Sequence, residues 1–214
     1  MSSYPPKPIQ PASASAGKPI QPVTLTGRHV DLLPLSAEHE DGLIAAVKDG
    51  RLWELWYTNI PAPDRMKAEI DRRLALRAAG TMLPFTVIDK ASGRIAGMTT
   101  YMNIDAAGPR VEIGSTWYAQ SVQRTPLNTE AKLLLLGHAF EHLGCLAVEF
   151  RTHFFNHQSR RAIERLGAKL DGILRSHLRT SDGALRDTCV YSIIACEWPT
   201  ARTHLASRLQ RAGR

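Results

Sequence analysis

The stretch that most restricts the fold is residues 117–157, which reads as a strand end, a turn, a long helix, a second strand and the start of another helix. Thr125 is a suitable N-cap for the long helix, and Pro126 suits its first turn because the missing N–H would be unpaired there anyway. The apolar side of this helix is supplied by Leu133, Leu134, Leu135, Leu136, Ala139, Phe140 and Leu143. A strand, helix, strand crossover implies that the two strands are parallel neighbours in a sheet.

The start of the long helix, residues 124–131, is the predicted ligand site. The first N–H groups of a helix have no helical partner, and the positive end of the helix dipole lies there, so phosphate is favoured. Many helix starts bind only water, and that alternative stays open at this point. A ligand at this helix would lie where the two parallel strands end.

Length and composition indicate a single globular domain of enzyme size. The chain has 214 residues, of which 43% are hydrophobic, and this is enough to bury a full core. The sequence contains no run near the roughly 18 apolar residues of a membrane span and no apolar signal core, so we expect a cytoplasmic protein. Cys145, Cys189 and Cys196 are an odd number without metal-type spacing, which predicts reduced thiols in the core.

The excess of positive charge lies entirely in the C-terminal part of the sequence. Residues 151–214 contain 12 Lys and Arg against 5 Asp and Glu, whereas residues 1–150 contain 15 of each class. Such an asymmetry suits an anionic ligand or a nucleic-acid surface, but it also suits a solvated basic face. Charge alone therefore does not separate an enzyme from a binding protein.

The ends of the chain differ in composition from its middle. Residues 1–21 are rich in Pro, Ser, Ala and Gly and have few large apolar side chains, so we expect a disordered leader. A domain is expected over residues 22–197. Pro199 interrupts the strand pattern that precedes it, and residues 198–214 are expected to form a basic helix or tail.

The remaining elements follow from hydrophobic periodicity and turn residues. Strands or hairpins are expected at residues 23–35, 83–89, 95–104, 111–117, 147–152, 170–179 and 184–197. Further helices are expected at residues 36–48, 64–79 and 158–166. On the second of these helices, Arg72, Arg73 and Arg77 are expected mostly on the outside. The aromatic segment 52–60 suits either the wall of a substrate pocket or the core.

This order of elements resembles the GNAT superfamily of acyl-CoA-dependent N-acyltransferases over roughly residues 22–197. Residues 111–114 (V-E-I-G) look like the family's fourth strand, and residues 127–131 (L-N-T-E-A) look like the start of its coenzyme-binding helix. Asn156 and Ser159, followed by residues 162–168 (A-I-E-R-L-G-A), look like its second coenzyme motif. The resemblance is greatest to the branch that contains the ribosomal-protein N-terminal acetyltransferases.

The resemblance implies a fold of the α/β (α+β) class. The expected architecture is a mixed, mostly antiparallel sheet of six to seven strands flanked by helices, with a parallel pair of strands at the acyl-CoA cleft. The implied activity is direct transfer of acetyl from acetyl-CoA, the cosubstrate, to a primary amine of a small molecule or a protein N-terminus, without an acyl-enzyme.

The resemblance also implies roles for residues near the fourth strand. The backbone N–H groups of Ser115 and Trp117 would polarise the acetyl carbonyl, because negative charge develops on its oxygen and preorganised donors stabilise it. Glu112 would accept the amine proton, directly or through water. The alternative for Glu112 is a solvent-facing residue on an alternating strand.

The coenzyme contacts implied by the resemblance are Arg124, Thr125, Leu127, Asn128, Thr129, Asn156, Arg160 and Arg161. The family usually has glycines at the positions of Arg124 and Pro126, where bare backbone approaches the phosphates. This chain has neither glycine. Pro126 removes one N–H donor, and Arg124 offers a charged fork instead. Asn156 would hydrogen-bond the pantetheine arm.

The leaving thiolate needs a proton donor, and the family's frequent tyrosine is replaced by Ile163. In the ribosomal-type branch a serine takes this role, so Ser159 is the candidate acid. Ser159 also suits a helix cap or a first helical turn. Tyr191 is a second candidate, although it equally suits a strand residue packed on the sheet.

Two other functions remain open from the sequence. His138, Glu141 and His142 form H-x-x-E-H, the inverted zinc-peptidase pattern, but no third ligand stands out and we expect no metal. A fold that has lost its chemistry and binds RNA or an acidic partner through residues 151–214 is the other alternative. Since few aromatic residues interleave these charges, we expect an amine substrate rather than nucleic acid, and no membrane. The resemblance is compatible with a homodimer.

Overall fold

Eight strands form one sheet in the part of the chain that the computed structural model describes, residues 20–105, 107–180 and 183–212. The strands are β1 (Leu25–Thr26), β2 (Val30–Pro34), β3 (Met82–Asp89), β4 (Arg94–Asp105), β5 (Arg110–Tyr118), β6 (Ala147–His153), β7 (Lys169–Arg179) and β8 (Leu185–Ile194). Their order in the sheet is β1-β2-β3-β4-β5-β6-β8-β7. All neighbours are antiparallel except β5 and β6, which are parallel.

The mixed, mostly antiparallel sheet with one parallel pair is confirmed. The expected number of six to seven strands was too small, because the first apolar segment forms two strands, of which β1 is only two residues long. The expected disordered leader falls almost wholly on residues 1–19, outside the described residues.

The helices are α1 (Glu40–Lys48), α2 (Met66–Ala78), α3 (Pro126–Gly137), α4 (His157–Glu164) and α5 (Trp198–Ala212). Short 3-10 turns, Ala37–His39 and Pro63–Arg65, lead into α1 and α2. Ser36 caps the first of these turns. The long central helix α3 continues as a π-helical turn over His138–His142. Among the described residues, no helix has both the length and the apolar character needed to cross a membrane.

The sheet separates two hydrophobic cores. The larger core joins β2 to β6 and β8 with α3, α4 and α5, and includes Tyr101, Ile113, Leu135 and Tyr191. The smaller core joins the sheet with α1 and α2. Ile113 and Trp117 would share a face on a regular strand, but an extra residue in β5 between them shifts the alternation, so Ile113 joins the larger core and Trp117 the smaller one.

Two expectations about burial were wrong. Arg73 is only 2% exposed, because its position lies one helical turn from buried Ile70 and its charge is paired with Glu69. Cys196 is exposed, since it lies in the 3-10 turn Ala195–Glu197 after the last strand, whereas the other two cysteines are buried and free as expected.

Glu130 attaches α3 to the first hairpin. Its carboxylate accepts hydrogen bonds from the backbone N–H groups of Arg28 (2.9 Å), His29 (2.5 Å) and Val30 (3.1 Å). A side chain at Gly27 would collide with this carboxylate, since an added Cβ would lie 2.5 Å from Glu130 Oε2. The start of α3 is therefore held against the sheet by a charged side chain rather than by apolar packing alone.

Candidate active site

The parallel strands β5 and β6 are paired at one end only. Residues Arg110, Val111 and Glu112 pair with Ala147, Val148 and Glu149. Beyond these pairs β5 continues to Tyr118 and β6 to His153, and β6 pairs there with β8 only. The two strands therefore part after Glu112, and the cleft opens towards their C-terminal ends, where α3 and α4 begin.

Two β-bulges face this cleft. On β5, Ser115 and Thr116 together stand opposite Thr99 of β4, and Ser115 has a left-handed φ of 46°. On β4, the pairing shifts again between Met102 and Asp105, where Asn103 has a φ of 48°. A bulge turns the backbone and re-aims its N–H groups and side chains. Both bulges thus shape the region around Glu112.

Glu112 is buried at the point where β5 and β6 part, with 6% of its surface exposed. Its Oε2 accepts a hydrogen bond of 2.7 Å from Asn103 Nδ2 and lies 3.5 Å from Arg151 Nε. Burial raises the pKa of Glu112, and it outweighs the opposing effects of Asn103 and Arg151. From the sequence, Glu112 could also have been a solvent-facing residue of the strand. Its burial excludes that alternative.

A set of charged side chains surrounds Glu112. Arg151 also bonds Glu149 at 3.0 Å, and Arg110 pairs with the same carboxylate at 2.8 Å. Arg186 of β8 interacts electrostatically with Glu112, and its buried Nε has no partner among the described residues. Sequence alternation could have placed Arg151 on this face, but nothing local indicates Asn103 or Arg186.

The start of α3 forms one side of the mouth of the cleft. Thr125 Oγ1 accepts from Leu127 N at 3.3 Å, so Thr125 is the N-cap that the sequence predicts. Leu127 is buried in the larger core, which leaves the backbone rather than its side chain to face a ligand. Asn128 has a buried Oδ1 without a partner among the described residues, and Thr129 is buried.

Arg124 precedes this helix with an exposed side chain and a left-handed φ of 65°. Glycine adopts this conformation without strain, which explains why the related family usually has glycine there. The chain therefore keeps the backbone shape of a glycine turn while presenting a guanidinium at it.

The start of α4 forms the other side of the mouth. Asn156 is the N-cap of α4, since its Oδ1 accepts from Ser159 N at 3.0 Å, and Ser159 lies in the first turn. Gln158 Nε2 bonds Gln123 Oε1 at 3.3 Å, which links the segments in front of α3 and α4. The structure thus brings Arg124, Thr125, Asn156 and Ser159 to one end of the cleft.

Arg160 and Tyr191 belong to a different environment from the other candidates. Arg160 Nε bonds the Tyr191 hydroxyl at 3.1 Å, and its guanidinium lies over the Phe154 ring at 4.9 Å. The Tyr191 hydroxyl donates to Glu164 at 2.9 Å, and burial raises its pKa. The Arg160 guanidinium is therefore engaged with Tyr191 and Phe154 in this structure, and its contact with a coenzyme phosphate stays a prediction. Arg161 remains exposed on α4.

The aromatic segment 52–60 reaches the end of β6. Trp56 is 60% exposed, and its ring lies 5.1 Å from His153 and 6.1 Å from Phe155. Trp53 packs against the smaller core instead. Trp53 thus fits the core interpretation, and a substrate-pocket wall at Trp56 stays a prediction.

Lys132 was not recognised as a special residue in the sequence. It is 6% exposed, and its ammonium donates to Thr99 Oγ1 (3.0 Å) and Thr116 Oγ1 (2.9 Å) under the β5 bulge. Among the described residues it has no carboxylate partner within salt-bridge distance. Burial lowers the pKa of Lys132 to about 7. No local pattern marks a lysine whose partners lie on two strands far away in sequence.

The H-x-x-E-H sequence serves packing in this structure. The rings of His138 and His142 stack at 5.7 Å, while Glu141 accepts from Trp198 Nε1 at 2.8 Å and pairs with Arg202 at 3.3 Å. Within the described ranges, no group of three or more His, Cys, Asp and Glu side chains is arranged to hold a metal ion.

Comparison with known proteins gives the family. Residues 29–169 match the model of the acetyltransferase (GNAT) domain. A GCN5-related N-acetyltransferase from Brucella melitensis is 34% identical and has a TM-score of 0.80, over 90% of this chain and 87% of that one. No curated protein sequence matches the chain significantly.

Two further solved structures share the fold of this chain. RimJ of Mycobacterium smegmatis, solved in complex with CoA-disulfide, is 25% identical with a TM-score of 0.73, over 90% of this chain and 96% of that one. The ribosomal-protein-S5-alanine acetyltransferase of Vibrio fischeri shares the fold at 17% identity, with a TM-score of 0.67 over 82% of this chain and 98% of that one. With the family model covering most of the chain and the cleft lying between the parallel strands, this protein belongs to the GNAT family of acetyltransferases.

Proposed function

We propose that this chain transfers acetyl from acetyl-CoA to a primary amine by direct attack in a ternary complex. The observation that carries the proposal is the buried carboxylate of Glu112 at the point where β5 and β6 part. The amine nitrogen bonds to the acetyl carbon, the carbon–sulfur bond breaks, and no acyl-enzyme forms. Acetyl-CoA supplies the activated acetyl group.

Glu112 is proposed as the base. The pKa of Glu112 is raised, which brings it closer to the pKa of the amine group that gives up the proton. This favours proton transfer near neutral pH. The hydrogen bond from Asn103 and the proximity of Arg151 hold the carboxylate in one position. The amine proton therefore passes to Glu112, directly or through water.

The β5 bulge is proposed to hold the acetyl carbonyl. Ser115 and Trp117 are the candidate backbone donors, because β5 has no partner strand on the side of the cleft beyond Glu112. Donors that are already in place lose no reorganisation energy when negative charge develops on the oxygen. Ser159 is the proposed acid for the departing thiolate, and Tyr191 is the weaker candidate because its hydroxyl is already bonded to Glu164 and Arg160.

The residues at the mouth of the cleft fit a coenzyme with phosphates and an amide-containing arm. The coenzyme phosphates are proposed to contact Arg124, Thr125 and the N–H groups of Asn128 and Thr129. Arg161, near the start of α4, is proposed as a further contact. Asn156 is proposed for the pantetheine arm, since its Oδ1 is used by the cap and its amide nitrogen has no partner among the described residues. A cytoplasmic location and a homodimer stay predictions from the sequence.

The first experiment is calorimetric titration of the protein with acetyl-CoA, followed by rates of CoA release with a panel of primary amines. We expect Glu112→Gln to lower kcat by at least about a hundredfold, the usual contribution of a general base, with little change in acetyl-CoA affinity. Asn156→Ala should mainly weaken acetyl-CoA binding.

Glu149→Gln is the matched control, because Glu149 is the register partner of Glu112 and pairs with the same arginine. It should keep most of the turnover. Unchanged turnover in Glu112→Gln would remove this residue from the chemistry. Absence of acetyl-CoA binding to the unmodified protein would reject the proposed function, and salt-dependent RNA binding would then favour the alternative of a binding protein.

A further inference from the structure

A polar cavity of about 390 Å³ lies between α2 and β5, on the sheet face that carries α1 and α2. Its lining consists of Asn59, Glu69, Arg72, Arg73, Ser115 and Trp117. Ser115 is the bulged residue of β5. The cavity therefore adjoins the strand that carries Glu112, on the face opposite to α3.

Three neighbouring residues, Arg73, Thr100 and Gly114, link the cavity to Glu112. Arg73 Nη1 bonds Thr100 Oγ1 at 2.7 Å, and Thr100 is the register partner of Gly114. A Cβ added to Gly114 would lie 2.8 Å from both Glu112 Oε1 and Met102 Sδ, so the Glu112 carboxylate and the Met102 thioether lie against Gly114. An amine that reaches Glu112 from this face would extend the rest of its structure into the cavity.

Positive charge exceeds negative charge in the cavity. Glu69 is its only carboxylate, and it accepts bonds from Arg72 Nε (2.8 Å), Arg72 Nη2 (2.8 Å) and Arg73 Nε (2.7 Å). Two guanidinium groups against one carboxylate leave a net charge of +1. The Arg72 side chain is 51% exposed, so water shares in compensating this charge, whereas the buried guanidinium of Arg73 is paired with Glu69.

Several hydrogen-bond donors of the cavity lack a protein acceptor. Arg73 is 2% exposed, yet its Nη2 has no hydrogen bond among the described residues. Trp117 is 4% exposed, and its buried Nε1 has no partner there either. A buried donor such as the Trp117 indole N–H is normally paired, so this side of the cavity lacks an acceptor oxygen. One carboxylate would supply acceptor oxygens to the free donors and carries the charge opposite to that of the two arginines.

We propose that this cavity binds a carboxylate carried by the acetyl acceptor, so that the substrate class is an amine with an acidic group. The proposal rests on the proposed function, since it assumes that the amine reacts beside Glu112. Arg72, Arg73 and the Trp117 indole hold the carboxylate, while Glu69 keeps the two guanidinium groups in place. An amine without an acidic group would leave these donors without an acceptor.

The test compares amines that differ only in charge. Rates of CoA release are measured with glycine, β-alanine and γ-aminobutyrate and with their primary amides. We expect kcat/KM to be roughly tenfold to a hundredfold higher for the acids, the range of a charged hydrogen-bonding pair. Arg72→Gln removes one guanidinium group from the cavity and should remove this preference.

Arg65→Gln is the control, because Arg65 is an exposed arginine that precedes α2 and lies outside the cavity lining. It should retain the preference for acids. Binding is measured separately by calorimetric titration with glutarate, which carries the carboxylate but no amine. Glutarate should bind the unmodified protein and bind at least about tenfold more weakly to Arg72→Gln and to folded Arg73→Gln.

Equal rates with acids and amides, or no glutarate binding to the unmodified protein, would overturn the proposal. Failure of the proposed function gives a different result, namely no acetyl-CoA binding while glutarate still binds in an Arg72-dependent manner.

Discussion

Ser115 and Arg124 have left-handed backbones, with φ values of 46° and 65°, although neither is glycine. Such conformations cost non-glycine residues about 1–2 kcal/mol, and they persist when the surrounding structure enforces them. Both residues lie at the candidate active site, one at the β5 bulge and one before α3. Having a side chain at these two positions therefore lowers the stability of the fold. A role in ligand binding would explain why neither residue is glycine.

Arg124→Gly should raise stability and lower coenzyme affinity. The substitution relieves a left-handed backbone, so we expect a gain of about 1 kcal/mol in the free energy of unfolding. It also removes a guanidinium from the proposed phosphate site, so acetyl-CoA should bind roughly tenfold more weakly. Urea denaturation and calorimetry measure the two effects.

Arg51→Gly is the control, because Arg51 is also left-handed, with a φ of 48°, and its exposed side chain pairs with Glu54. Unchanged acetyl-CoA affinity in Arg124→Gly would argue against a phosphate contact.

Lys132 should make stability depend on pH. Its pKa is about 7 in the folded chain, against an ordinary value of 10.5. Between these values the unfolded chain binds the proton and the folded chain does not, so stability rises with pH there. Below about pH 7 both states are protonated, and the full cost of burying the charge is present.

The expected slope from this group is about 1.4 kcal/mol per pH unit above pH 7. Urea denaturation of the unmodified protein and of Lys132→Met at pH 7, 8 and 9 measures it. The variant should be the more stable protein at pH 7, and its advantage should shrink at pH 9. A constant difference between the two proteins across this range would show that Lys132 keeps its proton.

At the scale of elements, α3 is held at both of its sides by polar contacts. Glu130 bonds three N–H groups around the turn between β1 and β2, and Lys132 bonds Thr99 and Thr116 of β4 and β5. Apolar packing alone permits small shifts of a helix along a sheet, whereas these bonds specify one position. The start of α3, which carries the proposed phosphate contacts, is thereby fixed relative to the β5 bulge.

Glu130→Gln should destabilise the protein by roughly 2–3 kcal/mol, because an amide cannot accept all three N–H groups and brings its own donors towards them. Thermal and urea denaturation measure the loss. Glu38→Gln, at an exposed position before α1, should change stability by no more than about 0.5 kcal/mol. If Glu130→Gln were as stable as this control, water would satisfy the turn equally well.

At the scale of the whole molecule, α5 completes the larger core. Trp198, Ala201 and Leu205 are buried in it, and the Trp198 ring stacks on Phe140 at 5.4 Å. The sequence suggested that residues 198–214 form a basic helix or tail outside the domain. Arg202 and Arg211 are exposed on α5, while its buried apolar residues join the core formed with α3.

Leu205→Ala should cost about 3 kcal/mol in stability, since a fully buried leucine leaves a cavity when truncated. Thr203→Ala, at an exposed position of the same helix, is the control and should cost far less. Chemical denaturation measures both. A small loss in Leu205→Ala would mean that α5 detaches from the core without unfolding the rest.

Much of the fold and part of the site follow from sequence alone. Alternation and helical periodicity predicted the strands, the long helix and the parallel pair, because each of these patterns is local. Cap chemistry predicted Thr125 as the N-cap of α3, and the motif around Glu112 pointed to the carboxylate at the cleft. These features depend on residues within a few positions of each other.

The remaining features were decided only by tertiary structure. The sequence placed Arg73 on the outside of its helix and did not single out Lys132. Both side chains bond residues far away in sequence, at separations of 27 and 33 positions. Whether a charged side chain is buried, paired or left with free donors depends on which distant strand or helix packs against it. Local sequence determined the elements and their order, and long-range packing determined the electrostatic environment in which the candidate residues act.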